Sequence, residues 1–378
     1  MTDGSATVVV VGDSIAGCTA ARQLRALDHS GPIVMIGADA DGSYPRPPLS
    51  KQVLKSDAGD ADTWDLADLN VDMVASSATG VDVDVDDRIV RTADGQRVHY
   101  DALIVATGAS ARRIADADRG GELVLRTLAD ARNLRSRLET AESAIVIGAG
   151  FLGMEVASAC ADRNIPVTVV DVDPPLERLL GPFLSRALSA RARSSAVEIV
   201  RADTPVELIG DPIDGIRVGG SDRHADLVLT CAGEVPATRW LDGSGVADAR
   251  GVAIDDRCTT AVAHVFAAGD VAYRRGSAGR TPFWSSAVAQ GKVAAASALG
   301  LEPTCAPTDD YFWTEILGLS IKVVGPLPLL GEPTVLEGSV DDGSALLQWT
   351  HDDGRKTIVA YGIKKSVGLL RRKAAADA

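Results

Sequence analysis

Apolar residues in this chain fall into short runs, and each run ends at a glycine-rich or polar turn. The first run, residues 7–11, is followed by the turn 12–17, a helical segment over 18–27 and a second run over 32–36. Such short apolar runs, bounded by turns, are typical of buried strands. Two parallel strands need a crossover of about a dozen residues, usually a helix. The pattern therefore predicts a βαβ unit at the start of the chain.

The same order of strand, glycine turn, helix and strand returns in the middle of the chain. Residues 143–147 are followed by the turn 148–153, a helix over 154–163 and a strand over 167–171. Two such units predict an α/β protein with two Rossmann-like dinucleotide-binding domains, as in glutathione reductase.

Shorter apolar runs fill the rest of the chain. They predict a hairpin around Asp94 and Gly95. Single strands are expected over residues 102–106, 198–201, 206–209, 215–218, 227–231 and 265–268. The proline-containing segment 301–308 is typical of a linker. After it we expect three antiparallel strands and a helix, over residues 321–324, 345–350, 357–361 and 366–376.

These elements predict three domains. The first is discontinuous (1–112 and 232–303) and the second covers 113–231, each with one of the two dinucleotide folds, and the third is a small α+β C-terminal domain (304–378).

Composition excludes several classes of function. The 378 residues carry a net charge of −14, which repels nucleic acids and anionic membranes. Every apolar run is far shorter than the roughly 20 residues of a membrane helix. The residues Met1 to Gly4 lack the basic segment of a signal peptide. We therefore expect a cytoplasmic protein, a monomer or weak homodimer, that binds neither nucleic acid nor membrane.

The second glycine turn has the full dinucleotide-binding pattern. Gly148, Gly150 and Gly153 stand between a strand and a helix, and Asp171 follows at the end of the next strand. Backbone N–H groups at a helix start bind pyrophosphate, and the acidic residue binds ribose hydroxyls. A 2′-phosphate would instead meet Asp171 and Asp173, so the sequence predicts NADH rather than NADPH. The alternative is that Asp171 is only a solvated strand-end residue.

The first turn departs from this pattern. Ser14 replaces the middle glycine, and Ala38 follows Gly37 where an acidic residue is expected. Serine is small enough to let a ligand approach closely. We predict a second dinucleotide site here, with Asp39 or Asp41 in place of the missing acid.

Five short strings together resemble the FAD-dependent ferredoxin and rubredoxin reductases, relatives of the glutathione reductase group. The strings are Arg-Pro-Pro-Leu-Ser-Lys at 46–51, Ala-Thr-Gly at 106–108, Leu-Arg-Thr at 125–127, the second glycine turn, and Ala-Ala-Gly-Asp-Val at 267–271. The resemblance covers nearly the whole chain. It implies FAD and NAD(H) as cofactors.

The resemblance also implies which residues bind them. Gly12, Ala16 and Gly17 would lie at the FAD pyrophosphate, and Asp270 would accept a hydrogen bond from the ribityl chain. Besides the residues of the second turn, the implied cofactor-binding set adds Ser14, Asp39, Arg46, Pro48, Lys51, Val81, Ala106, Thr107, Gly108, Arg126, Phe151, Leu152, Glu155, Gly233, Gly269 and Trp284.

Lys51 and Glu155 are the implied catalytic residues. In similar proteins the lysine of the Pro-Pro string lies beside the flavin N5 and pairs with the glutamate two residues beyond the second turn. A cation there stabilises the reduced flavin, so we predict a Lys51–Glu155 ion pair. Taken singly, both side chains would be ordinary solvated charges. Trp284 is expected either over the pyrimidine end of the flavin or in the core.

The cysteines decide between reaction classes. They are scattered, without CxxC or metal-ligand spacing, at positions 18, 160, 231, 258 and 305. We expect buried thiols, no metal and no thiol relay, so that electrons leave the flavin for a one-electron acceptor.

The predicted function is therefore that of an NADH:ferredoxin oxidoreductase. Hydride passes from NADH to the flavin N5, and single electrons then pass to a [2Fe–2S] ferredoxin that serves a cytochrome P450 or a Rieske oxygenase. One alternative is a biosynthetic-pathway flavoenzyme acting directly on a small molecule or oxygen, and another is a flavin- or NAD-binding regulator. Ferredoxins are usually acidic, so docking would use basic residues, for which the candidates are Lys364, Lys365, Arg371, Arg372 and Lys373, or Arg274 and Arg275. The same charges also fit a merely solvated surface.

Overall fold

The structure, a computed structural model, describes residues 5–55, 61–84, 88–116, 118–277 and 279–375. The segment Met1 to Gly4, which bears on the signal-peptide expectation, lies outside these residues. The chain divides into two compact units. The first comprises Met1–Arg46, Ala61–Ser110 and Val235–Asp309, and the second comprises Pro47–Asp60, Ala111–Glu234 and Asp310–Ala378.

The strands, numbered in chain order, are β1 (Val8–Val11), β2 (Ile33–Gly37), β3 (Asp72–Ala75), β4 (Ala78–Asp82), β5 (Ile89–Thr92), β6 (Arg97–His99), β7 (Ala102–Val105), β8 (Ala109–Ala111), β9 (Glu122–Leu123), β10 (Ala144–Ile147), β11 (Val167–Asp171), β12 (Val197–Arg201), β13 (Glu207–Gly210), β14 (Ile213–Val218), β15 (Ser221–His224), β16 (Leu227–Thr230), β17 (Glu234–Pro236), β18 (Val252–Ile254), β19 (Val265–Ala267), β20 (Ala272–Arg274), β21 (Tyr311–Ile316), β22 (Leu319–Val324), β23 (Thr334–Ser339), β24 (Ser344–Thr350) and β25 (Lys356–Tyr361). The helices are α1 (Ile15–Ala26), α2 (Gln52–Lys55), α3 (Leu128–Leu138), α4 (Phe151–Ala161), α5 (Glu177–Arg193), α6 (Trp284–Ala298) and α7 (Val367–Ala375). Short 3₁₀ helices cover Pro47–Ser50, Ala67–Leu69 and Arg239–Leu241.

The first unit is built on a parallel sheet with the strand order β19-β7-β1-β2-β3. All four residues of β1 are buried valines, as expected for a central parallel strand that is covered on both faces. Helices α1 and α6 pack against each other in this unit. Because β19, β7 and β1 run parallel, the residues that follow them meet at one edge of the sheet. Ligands of such sheets bind at that carboxyl edge.

The second unit contains a parallel sheet of the same kind, with the order β12-β11-β10-β16-β9. Helix α5 is interrupted at Gly181, whose φ of 69° is not helical, and Pro182 follows with no N–H to continue the ladder. The unit also holds the antiparallel sheet β21-β22-β25-β24-β23. Helix α7 closes that sheet with the fully buried Leu370.

The predicted fold class is confirmed: two Rossmann-like parallel sheets and a C-terminal antiparallel sheet with a helix are present. Two details of the prediction were wrong. Helices α1 and α4 begin at Ile15 and Phe151, about one turn earlier than predicted, so the last glycine of each turn is helical. Helices α2, α3 and α5 and ten strands were missed, the strands being β3, β4, β8, β9, β15, β17, β18, β20, β21 and β23. Most of these strands are short, and β23 is almost entirely exposed and has no apolar alternation. Within the described ranges, every helix is too short or too polar to cross a bilayer.

Candidate functional site

The two glycine turns have nearly identical backbone geometry. The first glycine of each, Gly12 and Gly148, has a φ of +113°, which L side chains rarely adopt. A β-carbon on either would lie 2.2 or 2.3 Å from a backbone oxygen that follows the neighbouring strand. A β-carbon on Gly17 or Gly153 would lie 1.9 Å from the carbonyl oxygen of the first glycine. These four glycines are therefore required for the turn itself.

The middle position of the second turn is different, because it faces free space. A β-carbon on Gly150 would meet nothing within 4 Å. Ser14 holds the matching position, and its Oγ accepts a hydrogen bond from Arg46 Nε at 3.3 Å. Among the described residues no side chain caps α1 or α4, whereas α3 has a capping box of Thr127 and Asp130. The first N–H groups of α1 and α4 thus stay available for an anion, and both turns fit a pyrophosphate.

Asp171 stands at the end of β11 and holds the second turn. Its Oδ2 accepts a hydrogen bond from Ala149 N at 2.6 Å, and Oδ1 accepts one from Asp173 N at 3.3 Å. Asp173 in turn forms an ion pair with Arg178, which raises the pKa of that guanidinium. Arg178 is therefore engaged by a carboxylate instead of being presented to a 2′-phosphate. Arg201, which is opposite Asp171 on β12, lies 3.8 Å from Asp203. This arrangement suits a ribose with free hydroxyls.

Lys51 and Glu155 form the predicted ion pair, inside the second unit. Lys51 Nζ lies 2.8 Å from Oε1 and 2.9 Å from Oε2, and the two side chains are only 12% and 5% exposed. Glu155 also accepts hydrogen bonds from Thr314 Oγ1 at 2.6 Å and from Ser50 Oγ. The alternative, that Lys51 and Glu155 are separate solvated charges, is wrong, because both side chains are buried and paired with each other. A buried charge needs such a partner. Sequence reasoning missed Ser50 and Thr314, since neither carries a motif signal.

Aromatic side chains surround this pair. Lys51 Nζ lies 5.8 Å from the ring centre of Trp313, within range of a cation–π interaction. Phe312 packs against Phe151 at the start of α4, with ring centres 4.9 Å apart. The pair is thus held between the Pro-Pro string, α4 and β21.

Most other predicted residues of the first unit follow β1, β7 or β19, at the carboxyl edge of its parallel sheet, whereas Val81 is in β4 of the antiparallel sheet β4-β5-β6. Thr107 Oγ1 donates to Ala237 O at 2.8 Å, and Gly108 has a φ of +68°. Gly269 N donates to Gln290 Oε1 at 2.8 Å. Ala16, Ala106 and Val81 are buried, and Asp270 is half-buried beside Gly269.

The other two predicted residues of this unit are Asp39 and Trp284. Asp39 accepts hydrogen bonds from the Tyr44 hydroxyl and from Asp41 N. Trp284 is the first residue of α6 and is 38% exposed, so the alternative of a core tryptophan is wrong.

The remaining predicted residues of the second unit lie on turns and helix starts. Pro48 is in the 3₁₀ helix before Lys51. Arg126 lies 3.7 Å from Glu234, and the preceding Gly233 has a φ of +90°. Leu152, like Phe151, is half-buried at the start of α4.

The cysteines are free thiols. Burial raises the pKa of Cys18 to about 11 and the pKa of Cys160 and Cys231 to about 12, and it also raises that of Cys258. The expectation of a buried thiol is wrong for Cys305, which is exposed in the segment predicted as a linker. No three His, Cys, Asp or Glu residues in the described part of the chain are arranged to hold a metal.

Comparison with known proteins agrees with this geometry. A family profile described as "Pyridine nucleotide-disulphide oxidoreductase" matches residues 6–291. The ferredoxin–NAD(+) reductase component of the biphenyl dioxygenase system of Paraburkholderia xenovorans (strain LB400) is 32% identical over 360 residues, which are 90% of this chain and 86% of that protein. The rubredoxin–NAD(+) reductase of Ectopseudomonas oleovorans is 30% identical over 340 residues, 85% of this chain and 86% of the relative.

A solved structure is similar over the same length. The ferredoxin reductase for the CYP199A2 system from Rhodopseudomonas palustris has a TM-score of 0.85 and 27% identity, covering 94% of this chain and 91% of that one. The resemblance stated from the sequence motifs is confirmed. The chain belongs to the pyridine nucleotide-disulphide oxidoreductase family, within its ferredoxin and rubredoxin reductase group.

Proposed function

We propose that this chain is an NADH:ferredoxin oxidoreductase that holds FAD on the first glycine turn and NADH on the second. The main support for this proposal is the pair of matching glycine turns. Each is followed by a helix whose first N–H groups are capped by no side chain among the described residues. Bound FAD supplies the chemistry that joins a two-electron donor to a one-electron acceptor, because it accepts hydride and releases single electrons.

The residues of the two turns bind and orient the nucleotides. The N–H groups at the starts of α1 and α4 receive the pyrophosphates, and Arg46 adds a positive charge beside the first turn. Asp171 accepts hydrogen bonds from ribose hydroxyls and disfavours NADPH. These assignments rest on turn geometry and on family likeness.

For Lys51 we propose the role of the cation that stabilises reduced flavin. Glu155 fixes its ammonium group, and Ser50 and Thr314 fix Glu155. A lysine held by a buried carboxylate keeps a fixed position, which a free surface lysine does not.

The thiols argue against a thiol relay, because burial raises the pKa of four of the five and none is paired in a disulfide. Electrons then leave from the flavin itself, which suits a one-electron acceptor. We propose a [2Fe–2S] ferredoxin of an oxygenase system as that acceptor, by likeness to the relatives. Lys364, Arg371 and Arg372 are exposed near or on α7 and suit an acidic partner. Arg274, the other candidate, forms an ion pair with Asp256.

The test is to add NADH to the purified, FAD-loaded protein without oxygen, and then to add a [2Fe–2S] ferredoxin and cytochrome c. Rapid loss of the flavin absorbance, with cytochrome c reduction that depends on ferredoxin, is the expected result. Bleaching that never couples to ferredoxin would indicate the direct small-molecule enzyme. A protein that binds flavin without bleaching would be a regulator, and one that binds no flavin would contradict the proposal altogether.

A further inference from the structure

The two glycine turns differ in where their carboxylate comes from: one has an aspartate within the turn, and the other has it at the end of the next strand. Strand β1 pairs with β2, and β10 pairs with β11, in the same register, so Gly37 corresponds to Asp171. By the same correspondence Asp13, which follows the first glycine of its turn, matches Ala149. One turn therefore has alanine in the loop and aspartate at the strand end. The other has aspartate in the loop and glycine at the strand end.

The Asp13 carboxylate fills the space that a strand-end side chain would take. A β-carbon on Gly37 would lie 2.3 Å from Asp13 Oδ2 and 2.4 Å from its Cγ. In the second unit the strand-end carboxylate of Asp171 reaches the loop from the other side, at 2.6 Å from Ala149 N. In both units a carboxylate thus lies between the loop and the end of the second strand.

We propose that Asp13 supplies the carboxylate that binds the adenosine ribose of the dinucleotide in the first unit. This inference rests on the proposed function, because it assigns a residue to the FAD that the first turn is proposed to hold. It explains why Gly37 can stand at the strand end that Asp171 occupies in the second unit, one position before the Ala38 where the sequence pattern led us to expect the acid. Asp13 is a binding residue for the nucleotide and takes no part in electron transfer.

Asp39 is the rival for this role, and its geometry is less suited. It lies two residues beyond Gly37, the position that corresponds to Asp171, and its oxygens accept hydrogen bonds from the Tyr44 hydroxyl and Asp41 N. Asp13 is only 9% exposed, and burial, with Asp39 nearby, raises its pKa, while Arg46 partly offsets this. Ribose hydroxyls would supply donors to a carboxylate in such surroundings and stabilise its charged form.

The test measures binding of FAD and of an FAD analogue that lacks the adenosine 2′-hydroxyl, by flavin fluorescence. We expect the wild-type protein to prefer FAD over the analogue by about tenfold or more, since a hydrogen bond to a charged group is worth about 1.5–3 kcal/mol. Asp13→Ala should lose this preference and bind FAD about 10- to 100-fold more weakly. Asp13→Asn, which keeps the shape of the side chain, should give a smaller loss in the same direction.

The decisive test is a double variant that moves the carboxylate from the turn to the end of β2. Gly37→Asp alone is expected to clash with Asp13, but Asp13→Ala combined with Gly37→Asp recreates the arrangement of Ala149 and Asp171. That double variant should regain the preference for FAD. The inference is overturned if both Asp13 variants keep the full preference, or if Asp39→Ala alone abolishes it. A wild-type protein that binds no FAD would instead refute the proposed function.

Discussion

At the scale of single residues, Glu155 joins three distant parts of the second unit. It bonds Lys51 and Ser50, which are 104 and 105 positions away, and Thr314, which is 159 positions away. A carboxylate with one cation and two hydroxyl donors is well satisfied when buried. Removing any one partner leaves a charge or a donor without compensation.

We expect Glu155→Gln to destabilise the protein, because it leaves the Lys51 ammonium buried without its counter-charge. The expected loss is about 3–5 kcal/mol in the free energy of unfolding, measured by chemical denaturation of the FAD-free protein. Lys55→Ala is the matched control, since Lys55 pairs with Asp162 in a partly exposed bridge. That change should cost less than about 1 kcal/mol. Equal losses for the two variants would argue against a special role for the buried pair.

A second prediction at this scale concerns nucleotide choice. The wild-type kcat/KM should be higher for NADH than for NADPH, and Asp171→Ala should reduce the ratio by about tenfold or more. The reason is that the carboxylate accepts from ribose hydroxyls and repels a 2′-phosphate. Equal kcat/KM values for the two nucleotides in the wild-type protein would contradict the assignment of Asp171.

At the scale of elements, each turn separates glycines that the backbone needs from a position that a ligand needs. Gly148 and Gly153 are in contact with backbone atoms, whereas Gly150 faces open space. Folding and binding therefore depend on different glycines within six residues.

This separation predicts opposite effects of two alanine substitutions. Gly153→Ala places a methyl group 1.9 Å from the Gly148 oxygen, so α4 must shift, at a cost of about 1–3 kcal/mol in stability. Gly150→Ala should leave the melting temperature nearly unchanged, since its φ of −74° suits alanine. It should still weaken NADH binding, because the methyl group occupies the approach to the helix start. Thermal denaturation and NADH titration of both variants decide this; a Gly150→Ala protein that binds NADH normally would count against the site.

At the scale of the whole molecule, the cysteines are distributed so that chemistry by thiols is suppressed. Cys18, Cys160 and Cys258 are buried, and Cys231 is half-buried with its pKa raised to about 12. At neutral pH these four groups are almost entirely thiols, which are poor nucleophiles. Cys305 alone is exposed among the five.

We therefore expect one equivalent of a thiol reagent to react rapidly with the native protein at pH 7, and Cys305→Ser to remove that reaction. Unfolding should make all five cysteines reactive. Flavin reduction by NADH should persist after the native protein is labelled, because no thiol carries electrons. Loss of flavin reduction on labelling, reversed by Cys305→Ser, would point to a thiol in the reaction.

Much of the architecture could be predicted from the sequence, because its signals are local. Short apolar runs and glycine turns identified four of the five strands of each parallel sheet, and β11 was predicted over the residues it occupies. Strand β23 was missed because a strand exposed on both faces has no apolar pattern to read. The starts of α1 and α4 were missed because Gly17 and Gly153 look like turn residues, and only close packing makes them helical.

The sequence by itself determined the two dinucleotide turns, the fold class and the family, because these depend on residues close together along the chain. Only the tertiary structure decided how buried charges are satisfied: Ser50 and Thr314 at Glu155, and the Asp13 carboxylate over Gly37. The physical reason is that a buried charge bonds to groups within about 3 Å of it in the folded chain. These groups can be far apart in sequence, so the sequence does not reveal which they are.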